Sequence, residues 1–255
     1  MSRFANKVAV VTGGASGIGE AIVRALIDAG ALIAALDINA KLLREREREF
    51  GRAFMGVAGD VTDERVVEAF IADCGARFGA PELAFNVAGA SRGGPLLDHS
   101  SEDWTFTLDL CLKGVFLCMK HEARSMVPLG RGAIVNISSV CAHFPVYGGA
   151  AYCAAKAGAE MLTKAGALEL AEKGIRVNTL LPGYTYTPGV RIAQERPAYD
   201  LALVERIPMR RAATPEEIAA PALFLASDDA CYIVGASLVV DGGWELAAAP
   251  DSRRL

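Results

Sequence analysis

Short apolar runs alternate with helix-length segments along almost the whole chain, and this alternation constrains the fold more than any other feature. Lys7 to Thr12 (KVAVVT) is Val-rich and apolar, which predicts a buried strand. Further strands are predicted at Leu32 to Leu36, Ala53 to Val57, Glu82 to Phe85, Gly132 to Ser138, Arg176 to Leu180 and Ser237 to Val240. Helices are predicted between them at Gly17 to Ala29, Lys41 to Phe50, from Thr62 onward, Ser101 to Met126, Ala151 to Glu172 and Pro215 to Ser227. In the first helix Ile18, Ile22, Leu26 and Ala29 share one face, and Gly30 follows as a C-cap candidate. Arg44 to Glu49 alternate in sign, as on a solvated helix face laced by intrahelical ion pairs. Thr214 is placed to cap the last helix, with Pro215 at its first position. Strands separated by helices of this length need crossover connections. The expected fold is therefore α/β, a doubly wound parallel sheet of about seven strands with helices on both faces. No repeat or linker interrupts it, so a single domain over residues 1–255 is expected, with a substrate lid at about 183–208 and a loose tail at about 247–255.

Composition excludes several classes of function. A net charge of −4 offers no basic face for nucleic acid or an anionic membrane. With 52% hydrophobic and 22% charged residues the chain reads as an ordinary globular protein, and no apolar stretch is long enough to span a membrane. The 6 cysteines form no CxxC pair and the 3 histidines no HExxH pattern, so no metal site is expected. The N-terminus has no apolar core of a signal peptide. These features together predict a soluble cytoplasmic protein with reduced thiols.

The loop after the first strand reads Thr12-Gly13-Gly14-Ala15-Ser16-Gly17-Ile18-Gly19. A strand enters it and a helix leaves it, the context in which glycines let a pyrophosphate approach a helix N-terminus. By itself such a loop could be a plain strand-to-helix turn. Asp37, however, closes the second strand eighteen positions past Gly19, where an acid can accept the hydroxyls of an adenosine ribose. A carboxylate there repels a 2′-phosphate, and neither the loop nor the residues directly after Asp37 provide an Arg or Lys to receive one. The chemistry favours NAD over NADP. Asp60 and Val61 follow the third strand, where a side chain meets either adenine or the next helix N-terminus.

Tyr152 and Lys156 stand four apart near the start of a helix and share a face. A nearby ammonium favours the phenolate, and a phenol tuned in this way exchanges a proton with an alcohol or carbonyl oxygen. Ser139 ends the fifth strand thirteen residues earlier and can aim its hydroxyl at the same oxygen.

Taken together, Thr12 to Gly19, Asp60, Asn86-x-Ala88-Gly89, Ser139, Tyr152-x-x-x-Lys156, Pro182-Gly183, Thr187 and Val240 to Gly243 resemble the short-chain dehydrogenase/reductase family, in its order and spacing along nearly the whole chain. The resemblance implies Tyr152 as general acid/base, with Ser139 stabilising the reacting oxygen. Lys156 is implied to lower the tyrosine pKa and to bind the nicotinamide ribose. Thr187 is implied to hold the carboxamide beside Pro182-Gly183, and Asn86 to Gly89 to lie beside the adenine ribose. Gly13, Ser16, Gly17, Ile18, Gly19, Asp37, Asp60 and Val61 complete the implied cofactor site. A homotetramer is also implied. One position departs from the family's N-x-K-G pattern: Cys111 stands where an Asn is usual. That residue serves a proton relay through Lys156 and water, so the relay is the step the departure touches.

The residues around the reacting group include Val140, Cys141, His143, Phe144, Tyr147, Tyr184, Tyr186, Ser91, Arg92 and Arg191. They mix apolar walls with a few polar groups, which fits a small secondary alcohol, ketone or cyclic diol. Two alternatives stand beside a dehydrogenase: a dehydratase or epimerase that uses NAD transiently, and a nucleotide-binding protein whose relay has decayed at Cys111.

Overall fold

A computed structural model describes residues 3–187 and 195–247. Seven strands form one sheet: β1 (Val8–Thr12), β2 (Leu32–Asp37), β3 (Phe54–Ala58), β4 (Leu83–Asn86), β5 (Gly132–Ile137), β6 (Ile175–Pro182) and β7 (Ser237–Val240). They lie in the order β3-β2-β1-β4-β5-β6-β7, and every neighbouring pair is parallel. The order reverses direction between β1 and β4, the switch point at which open α/β sheets leave a crevice beyond their carboxyl ends. Register aligns these ends: Thr12 sits opposite both Leu36 and Asn86.

The helices are α1 (Gly17–Asp28), α2 (Ala40–Phe50), α3 (Glu64–Phe78), α4 (Ser101–Leu108), α5 (Gly114–Met126), α6 (Ala150–Leu170), α7 (Pro197–Arg206) and α8 (Pro215–Ala226). The two-residue period of the strands sorts them between two cores. Ala9 and Val11 of β1 face Ile22 and Leu26 of α1 and Ile218 and Leu225 of α8. Val8 and Val10 face Phe70 of α3, Leu117 and Met126 of α5 and Ala167 of α6. Both faces of the sheet are covered, which is why β1 is buried throughout and reads as a continuous apolar run.

Three local readings need correction. The helix expected from Thr62 onward starts at Glu64: Asp63 caps α3 by accepting the Arg65 N–H at 2.9 Å, and Thr62 lies in the preceding turn with its N–H donated to Asp60 Oδ1 at 2.9 Å. The strand expected to end at Leu180 continues to Pro182, since β7 pairs with Thr179 through Pro182. The expected irregular lid contains α7, which begins with Pro197 at its first position. Tertiary contacts anchor it: the Tyr184 hydroxyl donates to Asp200 at 2.5 Å, and Leu203 and Val204 pack on Tyr184, Ile207 and Ala212. The rest of the lid expectation, at 188–194, and the tail at 248–255 lie outside the described residues. Among the described residues no helix is long and apolar enough to cross a membrane, and no cluster of His, Cys, Asp and Glu could hold a metal ion.

Candidate active site

The loop from β1 into α1 forms one end of the site. Gly13 has φ +66° and its amide donates to Leu36 O at 2.7 Å. A Cβ on Gly19 would meet Gly13 O at 2.1 Å, so the chain can fold back on itself here only without a side chain. Ser16 occupies the N-cap position of α1 and makes no side-chain capping hydrogen bond. The first-turn N–H groups of a helix have no intrahelical acceptor and carry the positive end of its dipole. Asp37, at the end of β2, accepts from Ala15 N–H at 3.1 Å and Asn39 N–H at 2.9 Å, which fixes its carboxylate beside the loop. Thr12 Oγ1 accepts from Val87 and Ala88 N–H at 3.1 and 3.3 Å and ties the loop to the segment after β4.

These elements form a cavity of about 480 Å³ lined by Gly13, Ser16 to Gly19, Asp37, Asp60, Val61, Val87 to Ala90 and Thr187 among others; among the described residues no Arg or Lys lines it. Glycines that a Cβ would block, free helix N–H groups and an aimed carboxylate fit the pyrophosphate and ribose of a dinucleotide.

Tyr152, Lys156 and Ser139 are brought together by a clasp between β5 and α6. Ser138 Oγ donates to Lys156 O at 2.8 Å, and Lys156 Nζ donates to Ile137 O at 2.8 Å. Asn136 Nδ2 adds a bond to Thr163 Oγ1 at 2.8 Å. All three candidate catalytic residues line a second cavity of about 560 Å³, along with Pro182, Gly183 and Thr187. Ile18, Val87, Gly89, Ala90 and Thr187 line both cavities, so the two are halves of one cleft.

The electrostatics differ from the sequence expectation. Burial pushes the Tyr152 phenol above its ordinary range, and the hydrogen bond with Ser139 opposes this. Lys156 Nζ lies 5.7 Å from the Tyr152 ring and spends a donor on Ile137 O; burial lowers its own pKa. Desolvation is the largest influence on the phenol and acts against the lowering expected from Lys156.

Asn86 also departs from expectation. Its side chain lines neither cavity; Nδ2 donates to Glu122 Oε2 at 3.0 Å and Asn136 Oδ1 at 2.9 Å. A buried amide needs such partners, and they lie under the sheet rather than in the cleft. Every other expected site residue lines one or both halves.

Cys111 lies in a five-residue π turn, Asp109–Lys113, that joins α4 to α5 in one continuous helix. Its thiol is fully buried and donates to Ala90 O at 3.2 Å. The position taken by a usual Asn therefore still bonds the backbone beside Gly89. A Cβ on Gly89 would lie 3.6 Å from Lys156 Nζ and 3.7 Å from Cys111 Sγ, so these groups converge in space though distant in sequence.

Of the expected substrate-pocket residues, Ser91, Val140, Cys141 and Tyr184 line the catalytic half. Phe144 and Tyr147 line an adjoining cavity of about 450 Å³. His143 is instead held between Glu160 and Glu245, and Tyr186 is bonded to Asp200 at 3.1 Å. Arg92 pairs with Asp103 at 3.3 Å and lies 4.0 Å over the Phe106 ring, so it is a surface residue. Arg191 lies outside the described residues. Val146, Tyr199, Leu203 and Trp244 were not expected, yet line both the catalytic and the adjoining cavity. Tyr199 and Leu203 are four apart after a Pro at a helix start, a signal the sequence did carry. A further cavity of about 330 Å³ at the opposite ends of the strands is lined by Lys7, Glu82 and Arg131 among others, with Glu82 held in ion pairs to Lys7 and Arg131.

Comparison with known proteins agrees with this arrangement. The family model described as "Enoyl-(Acyl carrier protein) reductase" matches residues 13–245. The D-threitol dehydrogenase of Mycolicibacterium smegmatis is 42% identical over 247 residues, covering 96% of this chain and 95% of the relative. The cis-4-hydroxycyclohexanecarboxylate dehydrogenase of Sinomonas cyclohexanicum is 41% identical over 245 residues, covering 94% and 97%. A crystal structure described as a candidate gluconate dehydrogenase from Agrobacterium tumefaciens superposes with a TM-score of 0.90 at 30% identity, covering 97% of this chain and 98% of the other. With the Gly loop, the Ser-Tyr-Lys constellation and relatives along nearly its whole length, the chain belongs to the short-chain dehydrogenase/reductase family and is an oxidoreductase acting on CH–OH groups.

Proposed function

We propose that this protein is an NAD-dependent dehydrogenase of a small secondary alcohol or cyclic diol, with Tyr152 as its general acid/base. The observation that carries the reading is the single cleft: Ser139, Tyr152 and Lys156 line one half, the Asp37-ended glycine loop lines the other, and five residues line both. The names of relatives that act on threitol, a hydroxycyclohexanecarboxylate, a cyclohexadiene diol and cyclohexanol support the substrate class.

Gly13, Ser16 to Gly19, Asp37, Asp60 and Val61 hold the adenosine and pyrophosphate half of NAD. Ala88 and Gly89 lie beside the adenine ribose, while Tyr152, Lys156, Pro182, Gly183 and Thr187 hold the other half, Lys156 at the ribose and Thr187 at the carboxamide. When bound, the nicotinamide supplies the hydride acceptor or donor at the carbinol carbon. In the oxidising direction Tyr152, as phenolate, takes the hydroxyl proton, and Ser139 donates a hydrogen bond to the same oxygen. Asp37 accepts ribose hydroxyls and repels a 2′-phosphate, with no Arg or Lys among the described residues lining that cavity to compensate. A homotetramer in the cytoplasm, with a small-molecule substrate and no nucleic-acid or membrane partner, belongs to the same reading.

The test is NADH formation with a panel of D-threitol, cyclohexanol, cis-4-hydroxycyclohexanecarboxylate and a cyclohexadiene diol, repeated with NADP. Turnover of at least one alcohol with NAD, and much less with NADP, is expected. No turnover of any alcohol with either cofactor would refute the reading.

A further inference from the structure

We propose that His143 is a positioning residue for the substrate cavity: held between Glu160 and Glu245, it fixes the wall formed by Trp244, and does so only while both its ring nitrogens carry protons. The ring Nε2 lies 3.0 Å from Glu160 Oε2, and Nδ1 lies 2.9 Å from Glu245 Oε1. A neutral imidazole has one N–H and one lone pair, so it can donate to only one of these carboxylates. Only the imidazolium makes both hydrogen bonds.

The two anchors belong to different parts of the molecule. Glu160 lies on α6, four residues after Lys156, and is 8% exposed. Its other oxygen accepts from Lys164 Nζ at 2.7 Å and Ser237 Oγ at 2.6 Å, so it is fixed to the helix that carries Tyr152 and to β7. Glu245 belongs to the turn Trp244–Leu246. Next to it, Trp244 packs edge-on against Phe144 at 5.2 Å and lines the catalytic cavity. His143 is thus the bond between the catalytic helix and the turn that carries the wall.

The charged groups that face this bridge are Glu160 and Lys164 from α6 and Glu245 and Asp241 from the C-terminal turn, where Asp241 Oδ2 accepts the Glu245 N–H at 2.6 Å. Burial opposes the imidazolium, but the hydrogen bond to Glu245 and the charge of Glu160 outweigh it, so the His143 pKa lies above its ordinary value. Loss of the proton on raising pH leaves one carboxylate facing a lone pair, and among the described residues the Glu245 carboxylate has no other side-chain partner to tie it to α6. Substrate binding then weakens while Ser139, Tyr152 and Lys156 stay in place.

The chain has 2 tryptophans, so a Trp104→Phe protein reports on Trp244 alone. Its fluorescence is titrated from about pH 5.5 to about pH 9, above and below the ordinary histidine value of ~6.5. One transition is expected, with a midpoint above the ordinary value. Glu245→Gln removes one carboxylate and should move that midpoint down; His143→Gln should abolish it. In the kinetic arm, which rests on the proposed function, the KM of the fastest alcohol in the panel should rise at least about threefold across the same interval. His143→Gln should show a raised, pH-independent KM with kcat within about twofold of wild type. A flat fluorescence titration, or one that persists unchanged in His143→Gln, would overturn the proposal. Should His143→Gln not fold, an unmoved midpoint in Glu245→Gln overturns it equally. Absence of turnover would count against the dehydrogenase reading, while the fluorescence arm would still decide this one.

Discussion

Glu122 places a pH-dependent weakness in the floor of the site. It lies on α5 at 1% exposure, and burial pushes its carboxyl up to about 8 from an ordinary 4.5, against the hydrogen bond from Asn86. Oε2 accepts from Asn86 Nδ2 at 3.0 Å, while Oε1 and Asn86 Oδ1 have no hydrogen-bond partner among the described residues. Between 4.5 and about 8 the folded protein keeps a proton that the unfolded chain has lost. Stability therefore falls as pH rises through this window and levels off above it. Each pH step is worth ~1.4 kcal/mol, so the full window amounts to ~5 kcal/mol and the part above about pH 6 to ~3 kcal/mol. Glu122→Gln keeps the shape, stays neutral and offers an N–H where the acid offers an O–H. Urea unfolding of both proteins at equal concentration, at about pH 6 and about pH 8.5, measures the difference. The variant should lie within ~1 kcal/mol of wild type at the lower pH, one ordinary hydrogen bond. At the higher pH it should gain ~3 kcal/mol relative to wild type, seen as a melting temperature higher by roughly 6–12 °C. Parallel pH profiles in the two proteins would refute the reasoning.

Other consequences follow from the cleft. Tyr152→Phe should leave NAD binding nearly intact and reduce turnover on the order of 10²-fold or more, as loss of a positioned acid/base does; wild-type rates would assign that role elsewhere. Because burial holds the Tyr152 phenol up and Ser139 opposes this, alcohol oxidation should climb with pH into the alkaline range, and Ser139→Ala should move the profile higher still; a flat wild-type profile contradicts it. Asp37→Ala should narrow the preference for NAD, and Asp37→Ala with Ile38→Arg should reverse it, measured as the ratio of Kd values; equal wild-type affinities would sink the argument. Cys111→Asn should change turnover less than roughly tenfold, the factor that one hydrogen bond of ~1 kcal/mol permits. Complete loss in Cys111→Ser would instead make the thiol a nucleophile.

The sequence by itself determined the architecture, because its periods are local: Val8 to Thr12 reads as a doubly buried strand, and the same residues divide between two cores. It determined the glycine loop and Asp37 as well, since backbone that must fold back within 2.1 Å tolerates only glycine, and this shows in eight consecutive letters. It also brought Tyr152 and Lys156 to one helix face, a matter of spacing alone. What depended on packing between distant segments was not legible. The docking of α7 rests on the bond from Tyr184 to its Asp200, although Pro197 and the Tyr199–Leu203 spacing do mark a helix there. Asn86 turns away from the cleft because Glu122 and Asn136 wait beneath it. The direction of the Tyr152 pKa, the convergence of Cys111 with Lys156, and the place of His143 between two carboxylates were all decided by the tertiary structure. Desolvation and hydrogen bonding depend on which atoms lie within a few ångströms, and only the folded chain settles that.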